Sequence, residues 1–557
     1  MDTEGRLIAS VSINRSINTL LPQELADYPK GLAGIVNSMV FSLPKNVTQR
    51  DFDNAFVEFS AIVGGEWTSY AQAERELYID PYNPGKPTEF IAGGFVAPKS
   101  VEEIQEVVKA ASKFGVPLWP VSTGKNLAYG GAAPVVPGTV VLDLKRMNRI
   151  LEVDDKLAYA VVEPGVSFFD LYRYFQEHNH KLWMSVPGPG WGGIIGNGLE
   201  RGIGYGYYSD HFMSSAGLEV VLPNGELLRT GMGAMANSTT GPLVAGGYGP
   251  SVEGLFALSN YGVVTKMARH LFPEPEYYMS CEVNCSFDEG LEQIVEKLRP
   301  FKMDETIRNP VVIMNLEMVA SFLSVREQWY QGKGAIPEEM LPQIQEKLKL
   351  GRWNASFALY GSEVKVNDSW RRIQQAVKDI PGIELNARAY KGGDEILHPR
   401  DQSQAGIPSL NEFGLVNWVG SGGHIDISPM GPMTAGHVRK INEIVRNEIH
   451  QYGFDHLCGF YCEARIFRYV NTLIFEKSDP EQMKKVRKLV SVLIQKLAEQ
   501  GYADNRVHLA YMNQTAQTYD FNHHAMLRLQ NTIKDVLDPG GIIAPGKSGI
   551  WPKQYRE

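Results

Sequence analysis

Three runs of the sequence crowd glycine beside small polar residues: Ser122 to Pro134 (STGKNLAYGGAAP), Gly188 to Gly206, and Gly541 to Gly549. Glycine lets backbone come close to a ligand, and clustered N–H groups suit a pyrophosphate. Any one run could be an ordinary turn-rich loop, but three together argue for one large, extended, phosphate-bearing cofactor. Two of the runs carry formal nucleotide motifs that their context rejects. Gly541 to Ser548 spells G-x-x-x-x-G-K-S, yet Pro552 interrupts the helix that would have to face the phosphates. Gly188 to Gly193 fits G-x-G-x-x-G, yet Pro187 and Pro189 stand where a dinucleotide fold needs a strand. His424 sits between glycines and an alternating strand, in SGGHIDISP. Its ring is either a hydrogen-bonded structural group or a ligand with open space beside it.

Other chemistry is poorly supported. Cys281, Cys285, Cys458 and Cys462 form two C-x-x-x-C pairs, but both lie in apolar segments where a strand puts i and i+4 on one face. Buried thiols are the better reading, and no metal site is expected. His178, His180, His523 and His524 lack carboxylates at ligand spacing, and no G-x-S-x-G or H-E-x-x-H occurs, so hydrolase readings have no support.

The elements that must position these runs are those of a large folded chain. It has 557 residues, 43% hydrophobic and 21% charged, which is a globular composition. With 54 basic against 63 acidic residues, the formal charge of -9 has the wrong sign for a nucleic-acid partner. No apolar stretch reaches membrane-span length, and Met1 to Gln23 lacks a basic start followed by an apolar run, so no membrane association and a cytoplasmic location are expected. Phe52 to Val63 reads as a helix. Ser100-Val-Glu-Glu103 reads as a capping box opening a helix with Ile104, Val107, Val108 and Ala111 inward. Strands are expected at Pro117 to Val121, Val140 to Leu142 and Tyr159 to Val162, and a helix at Phe168 to Glu177. Gly188 to Gly206 is too rich in glycine for regular structure. Leu218 to Leu228 reads as a hairpin about Pro223-Asn224-Gly225. Composition changes near residue 272. A second α/β alternation runs to about Gln500, after which Gly501 to Glu557 returns to a strand, a helix from Ala525 to Val536 and a glycine-rich end.

Long segments in order carry a resemblance: LWPVSTGKNLAYGGAAP (118–134), VVEPGVSFFDLY (161–172), GNGLERGIGY (196–205), GLEVVLPNGELLRTGMGA (217–234), GLFALSNYGVVTK (254–266), LGRW (350–353) and IIAPGKSGIWPKQY (542–555). On these the chain resembles the vanillyl-alcohol oxidase family of flavoproteins. The resemblance implies an α+β, two-domain FAD-binding fold of the p-cresol methylhydroxylase type. Residues 1–271 and 501–557 would form the FAD domain and 272–500 an α/β cap over the substrate. It also implies a homodimer or larger assembly, a small aromatic substrate, and O2 as electron acceptor. FAD would contact Pro120, Ser122, Thr123, Gly124, Lys125, Asn126, Gly130, Pro187, Gly192, Gly193, Gly196, Asn197, Glu200, Gly202, Gly204, Tyr205, Gly262, Val263 and Lys547. His424 falls where relatives attach a histidine to the flavin 8α-methyl carbon. No cysteine precedes Cys281, so a single link is expected.

Phenol-oxidising members hold a phenolate between two tyrosines and an arginine. Stabilising that anion eases hydride loss from the para-benzylic carbon to flavin N5. Tyr129 and Arg506 match two of these positions, and Asn505 stands where the second tyrosine is expected. Other departures follow. The family's aspartate near N5 falls on Gly188, and a histidine that supports flavin attachment falls on Tyr82. Two pocket phenylalanines fall on Asp426 and His456, which makes the pocket more polar and offers an acid/base pair. Glu412, Arg400 and His508 match supporting positions, and Pro187 lies where the family admits oxygen beside the flavin. The resulting expectation is an oxidase of a para-substituted phenol. A more polar, non-phenolic alcohol, or a flavin-binding relative without catalysis, stands as the alternative.

Overall fold

The computed structural model describes residues 43–556 except Ser421; Met1 to Gln23, read as lacking a basic start and an apolar run, lies outside the described residues. The described part begins with the helix Gln49–Val63, capped by Thr48, whose Oγ1 accepts from the Asp51 N–H. Phe52, Phe56 and Phe59 recur at helical spacing and are buried.

A small sheet follows. Thr68–Ser69, Gly94–Val96, Val140–Asp143 and Leu118–Val121 lie side by side in that order, the last three parallel. The crossover from Gly94–Val96 to Leu118–Val121 is the helix Val101–Phe114, which buries Ile104, Val107, Val108 and Ala111. Its start differs from a full capping box. Ser100 Oγ accepts from Glu103 N–H at 3.3 Å, but the Glu103 carboxylate reaches back one residue further, to Lys99 N–H at 2.8 Å. The strand Leu118–Val121 ends directly in the first glycine-rich run, so that loop hangs from a sheet edge. A five-stranded antiparallel sheet then runs Ile150–Asp154, Tyr159–Val162, Val263–His270, Ser215–Val221, Leu227–Arg229. Its last two strands are the hairpin about Pro223-Asn224-Gly225.

The second large sheet is antiparallel: Ile383–Lys391, Tyr277–Cys285, Trp353–Gly361, Val311–Asn315, Leu457–Cys462, Ile466–Phe475, Gly423–Ile427, with Met430–Pro432 also on Ile466–Phe475. The helices Gly290–Met303, Glu363–Val377, Ala435–Tyr452 and Pro480–Glu499 cover one face. All four cysteines are free and buried, and they pack on that face with Phe460, Phe467 and Tyr469. Among the described residues no cluster of three or more His, Cys, Asp or Glu could hold a metal. No described helix is long and apolar enough to cross a membrane. After the helix Pro480–Glu499 the chain returns to the small sheet, where Leu118 N–H donates to Ile542 O at 2.7 Å and Ala544 N–H to Leu118 O at 2.8 Å. The third glycine-rich run thereby lies beside the first.

Glu317 gives this second sheet a pH dependence. It opens the helix Leu316–Leu323, is buried, and accepts from Asn315 Nδ2 at 3.1 Å. Burial pushes its carboxyl up to about 7, with Arg352 opposing. A raised carboxyl binds its proton more tightly in the fold, so stability is present below about pH 4.5 and lost as pH rises towards 7. Glu317→Gln is expected to match the wild type near pH 4 and to exceed it at pH 8 by up to roughly 3 kcal/mol. Denaturant unfolding at stepped pH checks this, and a constant difference across that range would contradict it.

Candidate active site

One cleft gathers most of the residues that the glycine runs pointed to. Its wall contains Pro120, Ser122, Thr123, Gly124, Lys125, Asn126, Tyr129 and Gly130 from the first run, and Gly192, Gly193, Gly196, Asn197 and Glu200 from the second. Gly262, Val263, Arg506 and Lys547 line it too, as do Ile543 and Ala544 of the third run, and Phe256 and Ser259 join them without having been foreseen.

Local rules explain the approach of the first two runs. Despite its glycines, the second run contains a short helix, Ile194–Leu199. A Cβ at Gly193 would lie 2.3 Å from Ser122 Oγ, and one at Gly196 2.4 Å from the same atom, so the helix is pressed on the loop at these bare positions. The loop curls through left-handed residues at Gly124, Ala128, Gly130 and Gly131. The N–H groups of Gly124, Lys125 and Asn126 bond to no other described residue. A lined cleft with successive free backbone donors fits the pyrophosphate of an extended dinucleotide such as FAD. Beside it Lys547 Nζ meets Glu200 Oε1 at 2.5 Å. Burial opposes ionisation of Glu200, but Lys547 and Arg506 hold its carboxyl below the usual range.

Pro187, Gly202, Gly204, Tyr205 and His424 do not line this cleft. Gly202 and Gly204 allow packing behind it: a Cβ would lie 2.0 Å from Asn197 Oδ1 and 2.4 Å from His211 Nε2, respectively. Asn197 Oδ1 is also 2.5 Å from His211 Nδ1, so these glycines bear on the cofactor wall through Asn197.

At the Tyr129 side the cleft meets the second sheet. The guanidinium of Arg506 stacks 4.0 Å over the Tyr129 ring, and its Nη2 donates to Asn126 Oδ1 at 2.6 Å. Its Nε is buried with no partner. The Tyr129 hydroxyl lies 3.1 Å from Ser428 Oγ. Behind both sits Asp504, a residue the sequence reading passed over. It accepts from Ser428 N–H at 2.8 Å and from Arg506 N–H at 3.1 Å, and an isolated bridge pairs it with Pro429. Burial pushes its carboxyl up to about 7 even so. Asn505 lies half-buried between Asp504 and Arg506. Burial, with Asp426, also pushes the Tyr129 phenol well up, so Tyr129 acts as a neutral donor.

His424 and Asp426 share a face of the strand Gly423–Ile427, and Ser428 lies just past its end. His424 is buried, its ring edge-on to Tyr82 at 4.8 Å. Its Nε2 lies 4.0 Å from Asp426 Oδ1 and its Nδ1 is buried without a partner. Burial holds its pKa down, so the ring is neutral near pH 7 and keeps a nucleophilic lone pair. The residues matching the supporting positions divide. His508 is locked to Asp80 at 2.6 Å, both fully buried. Glu412 and Arg400 stand by Tyr205, whose hydroxyl is 3.0 Å from that of Tyr461.

Two expectations need correction. His456 does not face Asp426. Its Nε2 meets the Tyr469 hydroxyl at 2.7 Å, on the helix-covered face of the sheet, while Asp426 accepts from Thr472 Oγ1 at 2.7 Å on the other. Strand alternation separates them, because Tyr469 and Thr472 are an odd number of residues apart. Gly188 does not leave its neighbourhood without a carboxylate either. A Cβ there would lie 1.9 Å from Glu412 Oε2, so the Glu412 side chain occupies the place a residue-188 side chain would take.

Comparison with known proteins agrees with this geometry. Residues 92–231 match the profile described as FAD binding domain. The chain is 35% identical over 510 residues to the 4-cresol dehydrogenase (hydroxylating) flavoprotein subunit of Pseudomonas putida, covering 91% of this chain and 97% of that one. Among solved structures, 4-ethylphenol oxidase from Gulosibacter chungangensis superposes with a TM-score of 0.89 at 34% identity, over 92% of this chain and 100% of that one. Substrate-bound p-cresol methylhydroxylase gives 0.88 at 35% identity, over 91% and 99%. The fold is therefore the two-domain FAD-binding fold of the p-cresol methylhydroxylase type, with its α/β cap. The chain belongs to the vanillyl-alcohol oxidase and p-cresol methylhydroxylase family and is an FAD-dependent oxidoreductase.

Proposed function

We propose that this chain is an oxidase of the vanillyl-alcohol oxidase type, acting on the benzylic or allylic carbon of a para-substituted phenol. The stacked pair of Tyr129 and Arg506 beside the flavin cleft carries the proposal. Bound FAD would supply the acceptor for a hydride from that carbon, with dioxygen as the final oxidant and hydrogen peroxide as product. The residues do the rest. Arg506 holds a developing phenolate by charge, Tyr129 donates to it, and Asp504 fixes both through the backbone of Arg506 and through Ser428. His424, neutral and with no partner on Nδ1, would bind the flavin covalently. Residues 272–500 would form the cap and 1–271 with 501–557 the FAD domain, in a homodimer or larger oligomer. The relatives named for 4-cresol and 4-ethylphenol support the substrate class.

The test is anaerobic bleaching of the flavin by matched pairs, each a 4-substituted phenol and its O-methyl ether. Only the free phenols should reduce it, and re-aeration should yield one peroxide per flavin. Reduction by both members of a pair would remove the phenolate from the mechanism. Acid-precipitated protein should stay yellow, and His424→Ala should release its flavin to the supernatant.

A further inference from the structure

Asp426 is unlike its neighbours. It alone in the strand Gly423–Ile427 is not buried, and its side chain keeps 14% exposure within the interior of the molecule. Thr472 Oγ1 donates to Oδ1 at 2.7 Å, while among the described residues no donor reaches Oδ2. The strand acts as a ruler. His424 marks the flavin-attachment end, Ser428 touches the Tyr129 hydroxyl, and Asp426 lies between them on the same face, roughly 7 Å along the strand from each. Asp426 also acts electrostatically on Tyr129, Glu412, Asp504 and Tyr461.

An open carboxylate oxygen beside a phenolate anchor poses a physical problem. It repels the anion that Arg506 stabilises, and it forfeits a strong hydrogen bond unless the occupant donates one. A plain 4-alkylphenol has its only donor at the Arg506 end and leaves Oδ2 facing an apolar ring edge. A ring carrying a second hydroxyl next to the first meets both demands, one oxygen going to Tyr129 and Arg506 and the other O–H to Asp426. We propose that Asp426 is a specificity-determining residue that selects para-substituted phenols bearing a second hydrogen-bond donor on the ring, of which the catechols are the type. The proposal rests on the phenol reading above and names its substrate class.

The test uses the purified flavin-loaded protein with 4-methylcatechol, 4-methylphenol and 2-methoxy-4-methylphenol, the last keeping the bulk but losing the donor. Phenol and catechol, which lack the para substituent, give binding constants by perturbation of the flavin spectrum without turnover. A hydrogen bond to a charged group corresponds to about tenfold to a hundredfold in affinity. Wild type should therefore bind catechol, and show a lower KM for 4-methylcatechol, by on the order of tenfold or more, with limiting reduction rates differing far less. Asp426→Ala should erase the preference and Asp426→Asn should keep part of it. Thr472→Val, which frees the carboxylate without removing it, should weaken the preference a few-fold even if the alanine variant fails to fold. Equal affinity for the methoxy compound, a preference that survives in Asp426→Ala, or a preference undiminished in Thr472→Val would overturn the proposal. If phenols reduce the flavin with no catechol preference, this inference alone fails. If O-methyl ethers reduce it equally well, the phenol reading fails with it.

Discussion

Arg506→Ala should lower kcat/KM for 4-substituted phenols by on the order of a hundredfold to a thousandfold, the usual cost of deleting one donor to a developing anion. Three contacts make the effect large. The guanidinium is stacked on Tyr129 at 4.0 Å, fixed by Nη2 on Asn126, and tied through its own N–H to Asp504. Its Nε is buried with no partner, so the guanidinium keeps an unmet donor. Tyr129 cannot compensate, since burial and Asp426 keep its phenol protonated and it offers a dipole instead of a charge. Lysine would restore the charge but not the planar stack, so Arg506→Lys should recover only part of the loss. A pH profile separates this from a general defect. Without Arg506 the bound substrate must ionise nearer its own pKa, so the rising limb of the limiting reduction rate against pH should move up. The flavin-to-protein ratio should be close to that of wild type, because Asn126 is held by its own backbone contacts as well. An alanine variant with near-normal kcat/KM on free phenols would remove Arg506 from the anion site.

How much of this could be read from the chain depends on the range of the interaction concerned. The glycine runs announced a cofactor because close backbone approach leaves a local mark, and Gly193 and Gly196 against Ser122 are that mark. Strand and helix assignments held where period and caps agreed, as at Ser100 to Phe114. The short helix Ile194–Leu199 was missed because its stability is tertiary: glycine lowers helix propensity, and the burial of Ile194 and Ile195, with the contact on Ser122, holds it in place. His456 was misplaced because correspondence with a pocket residue says nothing of which way a strand's side chains turn. The register of Leu457–Cys462 on Ile466–Phe475 decides that. Asp504 had no local signature at all. Its importance comes from burial and from two N–H groups, one of them 76 positions away.

The Gly188 departure yields the second large effect, and its sign runs against intuition. Restoring an acid with Gly188→Asp should inactivate the protein. Its Cβ alone would fall 1.9 Å from Glu412 Oε2 and 2.9 Å from Glu412 Cδ, so the carboxylate must be displaced. Forcing extra atoms into such a site costs about 1–3 kcal/mol. Two carboxyls in contact cannot both ionise, and burial already pushes the Glu412 carboxyl up, against the pull of Arg400. The expected result is a loss of reduction rate on the order of tenfold or more, with a lowered Tm. Glu412→Ala should also be impaired, because Arg400 and Tyr205 then lose the acid they face. In the double variant the aspartate would occupy the space that Glu412 vacates, and one carboxyl would again lie near Tyr205 and Arg400. It should therefore recover a substantial part of both losses, with a coupling on the order of 1–3 kcal/mol. Additive losses would mean that the two positions do not share a site. A fully active Gly188→Asp would mean that Glu412 moves aside freely and that its carboxyl has no fixed place beside Tyr205 and Arg400.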